Sequence, residues 1–163
     1  MADRWKIRAA RRSDSSAFLS LVTALAKFEH LEPPHREARR RMIADIFEKR
    51  KLHLNVAESG RRIVGYALYF YTYSSFLARP TLYVEDLLVL EDFRRSGIGR
   101  ALFLRCASEA VERRCGRLEF SVLTWNARAI RFYEMLGARR MEDWALFRLD
   151  SKALKKLVNG ASR

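Results

Sequence analysis

The feature that most constrains the fold is one continuous stretch. Leu82-Tyr83-Val84-Glu85-Asp86-Leu87-Leu88-Val89-Leu90 runs almost at once into Phe93-Arg94-Arg95-Ser96-Gly97-Ile98-Gly99-Arg100. An apolar strand meets a basic, glycine-punctuated turn, and the turn opens an amphipathic helix. In that helix Ile98, Leu102, Cys106 and Ala110 form one row, flanked by Phe103, Ala107 and Val111, the pattern of a helix packed on a sheet. Helix starts present unpaired backbone N–H groups and the positive end of the helix dipole, so they attract phosphate. Gly97 and Gly99 let the backbone approach a pyrophosphate closely, and Arg94, Arg95 and Arg100 add charge. Glu85 and Asp86 stand in the strand just before. A phosphate cradle beside a candidate general base points to an enzyme that uses a phosphorylated carrier. Neither the spacing of an ATP-binding P-loop nor a dinucleotide fingerprint is present.

A chain of 163 residues fits one domain, expected to span 1–163. An apolar content of 49% with 12% aromatics excludes a disordered polymer. No run approaches the roughly 18 apolar residues of a membrane span, and the first residues lack the apolar core of a signal peptide. A soluble cytoplasmic protein without a membrane partner is expected. Cys106 and Cys115 fall about two and a half turns apart on one helix, too distant to bridge. Neither has a metal-ligand partner at useful spacing, and no metal is expected. The net charge of +13 is compatible with nucleic acid, a membrane surface or an anionic ligand. Its densest runs, Arg36-Glu37-Ala38-Arg39-Arg40-Arg41 and Lys49-Arg50-Lys51, lie on or beside an amphipathic helix and read as a solvated face.

Along the chain, Lys6-Ile7-Arg8 reads as a first strand. Ser13 or Asp14 caps a helix carrying Phe18, Leu21, Val22, Leu25 and Phe28 at helical spacing, and Pro33-Pro34 stops it. A second helix is expected over about 36–49, then a hairpin of Leu52–Ala57 with Ile63–Tyr71 across Ser59-Gly60. After the acid-bearing strand and its helix, which Gly116 is expected to end, Leu118, Phe120 and Val122 alternate as another strand. Asn126 begins a short helix with Ile130, Tyr133 and Leu136, closed by Gly137. Trp144–Leu149 reads as a last strand, and Ser151 onward as a basic tail or terminal helix. The order β-α-α-β-β-β-α-β-α-β describes one α/β domain on a mixed sheet.

That order, with Arg94-x-x-Gly97-x-Gly99 and Asn126 followed by Tyr133, resembles the GCN5-related N-acetyltransferases over essentially the whole chain. Within that superfamily Leu25-Ala26-Lys27-Phe28-Glu29, Val64–Tyr69, Leu82–Asp86, Val122–Asn126 and Trp144-Ala145-Leu146-Phe147 resemble the diamine (spermidine/spermine) and thialysine acetyltransferases. The resemblance implies a mixed, mostly antiparallel twisted sheet with a splayed central strand pair and helices on both faces. It implies acetyl-CoA as co-substrate. The pantetheine arm would lie along the backbone of Leu87, Leu88 and Val89. The pyrophosphate would sit over Arg94, Arg95, Ser96, Gly97, Ile98, Gly99 and Arg100, with Asn126, Arg128 and Ala129 on the far side. Asn126 is an N-cap on the sequence alone; the resemblance adds the carrier contact.

An alkylammonium must lose a proton before it attacks a thioester. Glu85 occupies the family position for that task, and Asp86 is expected to hold the substrate's positive charge. The alternative is a solvated strand patch, since successive residues of a strand face opposite sides. Tyr133 matches the family's proton donor to the departing thiolate; on the sequence alone it also suits a core position between Ile130 and Leu136. Phe28, Glu29, Glu142 and Trp144 complete the expected amine site. Two positions depart from the diamine enzymes: Phe28 stands where tyrosine is usual, and Ser74 where an aspartate helps hold the distal ammonium. A short diamine or lysine-like amino acid is therefore expected over spermine. The alternatives are acetylation of peptide or lysine amines and, from another class, a basic nucleic-acid-binding module. No helix-turn-helix, RNA-binding aromatic signature or zinc spacing supports the last of these, and no nucleic-acid partner is expected. A homodimer is expected, as is usual for this family.

Overall fold

The computed structural model describes residues 5–161. They form two compact units, one running to Ser121 and the other from Val122. The first unit is built on a five-stranded sheet in the order β1 (Trp5–Ala9), β2 (His53–Ser59), β3 (Arg62–Ser74), β4 (Arg79–Val89) and β5 (Arg117–Phe120). The first four strands run antiparallel to their neighbours, and β5 joins β4 in parallel.

Helices cover both faces of this sheet, as apolar side chains on both faces require. On one face α3 (Ile98–Glu112) lays Ile98, Leu102, Cys106 and Ala110 against Val64, Ala67, Tyr69, Leu82, Val84 and Val89. On the other, α1 (Ser15–Phe28) and α2 (Arg36–Phe47) bring Phe18, Leu21 and Ile46 onto Leu54, Val56, Tyr66, Leu68 and Leu88. The solvent side of α2 keeps Arg36, Arg40 and Arg41 exposed, in line with a solvated basic face.

Helix ends depart from the sequence reading in two places. Asp14 precedes α1 but does not cap it through its side chain. Both of its carboxylate oxygens accept from the Arg8 guanidinium, at 2.7 and 3.0 Å, and one also accepts the Arg11 backbone N–H. Arg8 in turn bonds Glu58 on β2, so the residue tethers α1 to the sheet. At the far end of α3, Gly116 is not the stop signal. Arg114 takes the left-handed conformation (φ 55°), and the Cys115 N–H closes onto the Ala110 carbonyl at 2.8 Å, a Schellman-type ending without glycine. Gly116 serves packing instead, because a Cβ there would stand 2.8 Å from Leu77 Cδ1.

β5 pairs with β4 only from Thr81 to Val84. Beyond Val84 the edge of β4 facing β5 runs on without a strand partner among the described residues, because β5 ends at Phe120.

The second unit holds α4 (Ala127–Met135) and α5 (Ser151–Ala161). Asn126 caps α4, its Oδ1 accepting the Ala129 N–H at 3.1 Å. Gly137 (φ 89°) ends the helix, with the Ala138 N–H on the Tyr133 carbonyl at 3.1 Å. The strand expected over Trp144–Leu149 is absent: these residues form no ladder and are all exposed. Alternating apolar residues make a strand only where a neighbouring chain segment supplies hydrogen bonds, and none of the described residues does so here. The terminal segment is a helix, α5.

Candidate active site

The acids of β4 owe their placement to a β-bulge. Leu68 of β3 faces Asp86, but the next residue, Tyr69, faces Val84, so Glu85 is the extra residue on β4. An extra residue shifts the side-chain alternation by one. Before the bulge, Leu82 and Val84 point to the α3 face; after it, Leu87 and Val89 take that face and Leu88 the other. Asp86 therefore lands on the α1 face, where unbroken alternation from Val84 would have turned it to α3. There the buried Tyr66 hydroxyl donates to its Oδ2 at 3.2 Å.

Glu29 follows directly on the last turn of α1. It is half-buried and close enough to feel Glu85, while Asp86 feels both. Three carboxylates thus share one place around Tyr66. Burial, then the charges of Glu85 and Glu29, push Asp86 up to about 6 against the opposing Tyr66 bond. Burial first, then Glu85, raises Glu29 as well. Tyr66 is raised far above an ordinary phenol by burial and by Asp86. Glu85 itself is exposed to solvent. Carboxylates crowded in this way gain from any cation that settles among them.

The turn after β4 begins with a single 3-10 turn at Glu91–Phe93. Arg95 (φ 63°) and Gly97 (φ 88°) then take left-handed conformations. Ile98 is buried, anchoring the first residue of α3 in the core. The first helical bond runs from the Ala101 N–H to the Gly97 carbonyl at 3.0 Å, and no side chain caps the helix. The N–H groups of Ile98, Gly99 and Arg100 are thus the uncapped donors of a 15-residue helix. Arg95, Ser96 and Gly97 are exposed beside them. An uncapped helix start, a left-handed glycine and adjacent arginine fit a pyrophosphate. The open edge of β4 fits an extended amide chain lying beside Leu87 and Leu88.

Two expected carrier residues have additional duties. Arg94 turns inward: its Nε donates to the Val89 carbonyl at 3.0 Å, and its guanidinium lies 5.7 Å from the centre of the Phe28 ring. Gly97 is required for its backbone conformation rather than for space, because a Cβ there would meet only Trp5, at an ordinary 3.6 Å.

Ser74 does not face the acids. It is buried at the end of β3, where its Oγ accepts the Leu77 N–H at 3.3 Å. In the second unit, Arg128 is exposed at the first turn of α4 and Ala129 supplies the N–H that Asn126 accepts. Tyr133 lies half-buried near the end of that helix, its ring edge-on to Phe132 at 5.0 Å. Glu142 and Trp144 are exposed in the irregular segment before α5.

Sequence reasoning assigned no role to Tyr66. The available signal was a tyrosine inside the apolar run Val64–Leu68, since a buried hydroxyl needs a partner.

Known proteins resemble this chain in sequence and in fold. Residues 18–138 match the acetyltransferase (GNAT) family. A thialysine N-epsilon-acetyltransferase of Mus musculus is 33% identical over 94% of this chain and 96% of its own length. An L-ornithine N5-acetyltransferase of Arabidopsis thaliana is 41% identical over 58% of this chain and 42% of its own. Among solved structures, an integron cassette protein from the mobile metagenome of V. cholerae superposes with a TM-score of 0.80 at 20% identity. That match covers 97% of this chain and 98% of the other. The chain belongs to the GNAT acetyltransferase family and is an acetyltransferase. Acetyltransferases of this family generally use acetyl-CoA. No described helix is long and apolar enough to cross a membrane.

Proposed function

We propose that this protein acetylates a primary amine of a small cationic substrate, a lysine-like amino acid or a short diamine, with acetyl-CoA as donor. The observation that supports this best is the bulge that gathers Glu85 and Asp86 with Glu29 around Tyr66. The names of the relatives point the same way, toward thialysine and ornithine amines.

Acetyl-CoA supplies a thioester; the chain does the rest. Residues Arg94–Arg100 hold the pyrophosphate through backbone N–H groups and arginine charge, and the backbone of Leu87, Leu88 and Val89 lines the pantetheine arm. Asp86 and Glu29 attract the ammonium and orient it, with Phe28, Glu142 and Trp144 as further substrate contacts. Glu85, open to solvent, accepts the proton the amine must lose, directly or through a water. The free amine attacks the carbonyl carbon, a C–N bond forms, the nitrogen releases its second proton to solvent, and the C–S bond breaks. Tyr133 is assigned as donor of the proton to the departing sulfur, and Asn126, Arg128 and Ala129 as further carrier contacts, by their match to the family motif.

The protein is proposed to act as a homodimer. Trp144, Leu146, Phe147 and Leu149, with Leu154, Leu157 and Val158 of α5, expose a run of apolar side chains, and such surfaces are usually covered by another chain. Light scattering at working concentration distinguishes dimer from monomer.

The deciding experiment is acetyl-CoA turnover against a panel of lysine analogues, diamines, polyamines and peptides, read by mass spectrometry. Lysine-like and short diamine substrates should lead; a preference for spermine or peptides overturns the substrate assignment. Glu85→Gln should lower kcat/KM by roughly a hundredfold at neutral pH, as general-base removal does. The deficit should narrow at high pH, where free amine is abundant. A small, pH-independent loss removes Glu85 from proton transfer.

A further inference from the structure

The indole of Trp5 lies beneath the turn that opens α3. Trp5 is the first described residue of β1, paired with Ser59 of β2 and packed on the α3 side of the sheet. Its Nε1 donates to the Ser96 carbonyl at 3.2 Å, across 91 residues of sequence. Its Cζ2 stands 3.6 Å from the point a Cβ on Gly97 would occupy. One ring therefore holds the turn by a hydrogen bond and lies directly beneath Gly97.

The hydrogen bond fixes more than a carbonyl. In a trans peptide the C=O of one residue and the N–H of the next point in opposite directions. Holding the Ser96 carbonyl toward Trp5 turns the Gly97 N–H away from it, to the open side of the turn. There it joins the uncapped N–H groups at the start of α3. Left alone, this turn has reason to flip. Arg95 and Gly97 both occupy left-handed conformations, and glycine rotates more freely than any other residue. A flipped Ser96–Gly97 peptide would aim its carbonyl dipole at a bound anion instead of its N–H.

The geometry points to Trp5 as a positioning residue for the pyrophosphate turn, a role that rests on the cofactor placement proposed above. Trp5 touches no reacting atom; it presets the direction of one backbone N–H. Preset donors bind more tightly because less order is lost on association. The effect belongs to the pyrophosphate and not to the acetyl-pantetheine end of the donor.

Acetyl-pantetheine, which carries the thioester without a pyrophosphate, therefore serves as the control donor. Trp5→Phe keeps an aromatic ring on the core and removes the N–H donor together with the ring edge beside Gly97. It should raise the acetyl-CoA KM roughly three- to tenfold, the effect of one net hydrogen bond, with kcat unchanged. The constants for acetyl-pantetheine should not move. Equal losses on both donors, or an unchanged acetyl-CoA KM, overturn the role of Trp5. If the wild-type enzyme uses acetyl-pantetheine as well as acetyl-CoA, the pyrophosphate seat itself is wrong, whatever Trp5 does. A second readout needs no change at Trp5. With Trp125→Phe and Trp144→Phe in place, the remaining indole emission should shift saturably with CoA and stay constant with pantetheine. A flat response to CoA overturns the proposal.

Discussion

The Tyr66 hydroxyl donates to Asp86 Oδ2 at 3.2 Å from a side chain with no solvent exposure. Tyr66 is locked by its surroundings, with the Phe18 ring edge-on at 5.0 Å. A fixed donor on a partly buried carboxylate favours the ionised form, while burial and two neighbouring acids favour the protonated one. The balance leaves Asp86 titrating near 6, so it is charged at neutral pH yet poorly solvated. A carboxylate in that condition gains more from an ammonium partner than an exposed one does.

Removing the donor should tilt that balance. In Tyr66→Phe the Asp86 carboxylate loses the contact that lowers its pKa. The acidic limb of kcat/KM for the amine should move upward from about 6. One net hydrogen bond corresponds to roughly half to one pH unit. A pH profile against the wild type measures it; an unmoved acidic limb means that Asp86 does not govern amine binding.

At Gly97 the order of damage distinguishes conformation from crowding. The left-handed backbone, not the space, excludes other residues, since a Cβ finds only Trp5 at 3.6 Å. Asparagine tolerates that conformation, alanine less well, and a β-branched residue least. The acetyl-CoA KM should therefore rise in the order Gly97→Asn, Gly97→Ala, Gly97→Val. Alanine should cost about 1–2 kcal/mol of local strain. Equal effects from all three would restore a steric explanation.

The strand, glycine turn and α3 were legible because their signals are local. Apolar rows, a left-handed glycine and uncapped donors are all written within about 30 residues of sequence. The bulge at Glu85 was not legible, since a bulge is a property of register between two strands and leaves no mark on one of them. Strict alternation put Glu85 and Asp86 on opposite faces; the register of β3 against β4 overrides it. Asp14 reads as a cap until Arg8 is seen beside it. Trp144–Leu149 has the composition of a strand, but composition does not provide a neighbour to pair with. Ser74 marks a departure from the diamine enzymes, yet its hydroxyl is engaged in its own turn. The proposed preference for short amines therefore rests on the acids around Tyr66 and not on a contact missing at Ser74.

Gly65 ties stability to the carrier edge. It faces Val89 across the β3–β4 ladder, and a Cβ there would stand 2.7 Å from the Leu88 carbonyl oxygen. Backbone cannot swing aside as a side chain can, so Gly65→Ala must push β4 outward where Leu88 and Val89 line the proposed pantetheine path. The expected cost is about 1–3 kcal/mol, typical of overpacking, together with a raised acetyl-CoA KM. Gly116→Ala is the control: its closest obstruction is the flexible tip of Leu77, at 2.8 Å, so its stability loss should be smaller and its KM unchanged. Chemical denaturation and steady-state kinetics on both variants test the pair; a loss in Gly116→Ala matching that in Gly65→Ala counts against the explanation.

Asp86 should also set how stability depends on pH. Its folded pKa, about 6, lies above the ordinary carboxylate value of 3.8. Between those values the folded chain binds more protons than the unfolded chain, so stability falls as pH rises through that window and stays lower above it. The ionised acid is tolerated for the sake of the cation it is proposed to bind. Asp86→Asn removes the charge while leaving an oxygen for Tyr66 to donate to. The variant should be more stable than the wild type at pH 7 to 8, by on the order of 1–2 kcal/mol. That advantage should shrink toward zero as pH drops below 4. The same substitution should weaken binding of the cationic amine, raising its KM with little change in that of acetyl-CoA. Thermal melts of both proteins from pH 4 to pH 8, with and without amine, read the two effects separately. A variant that is less stable than the wild type at every pH would show that the Asp86 charge is already compensated within the protein.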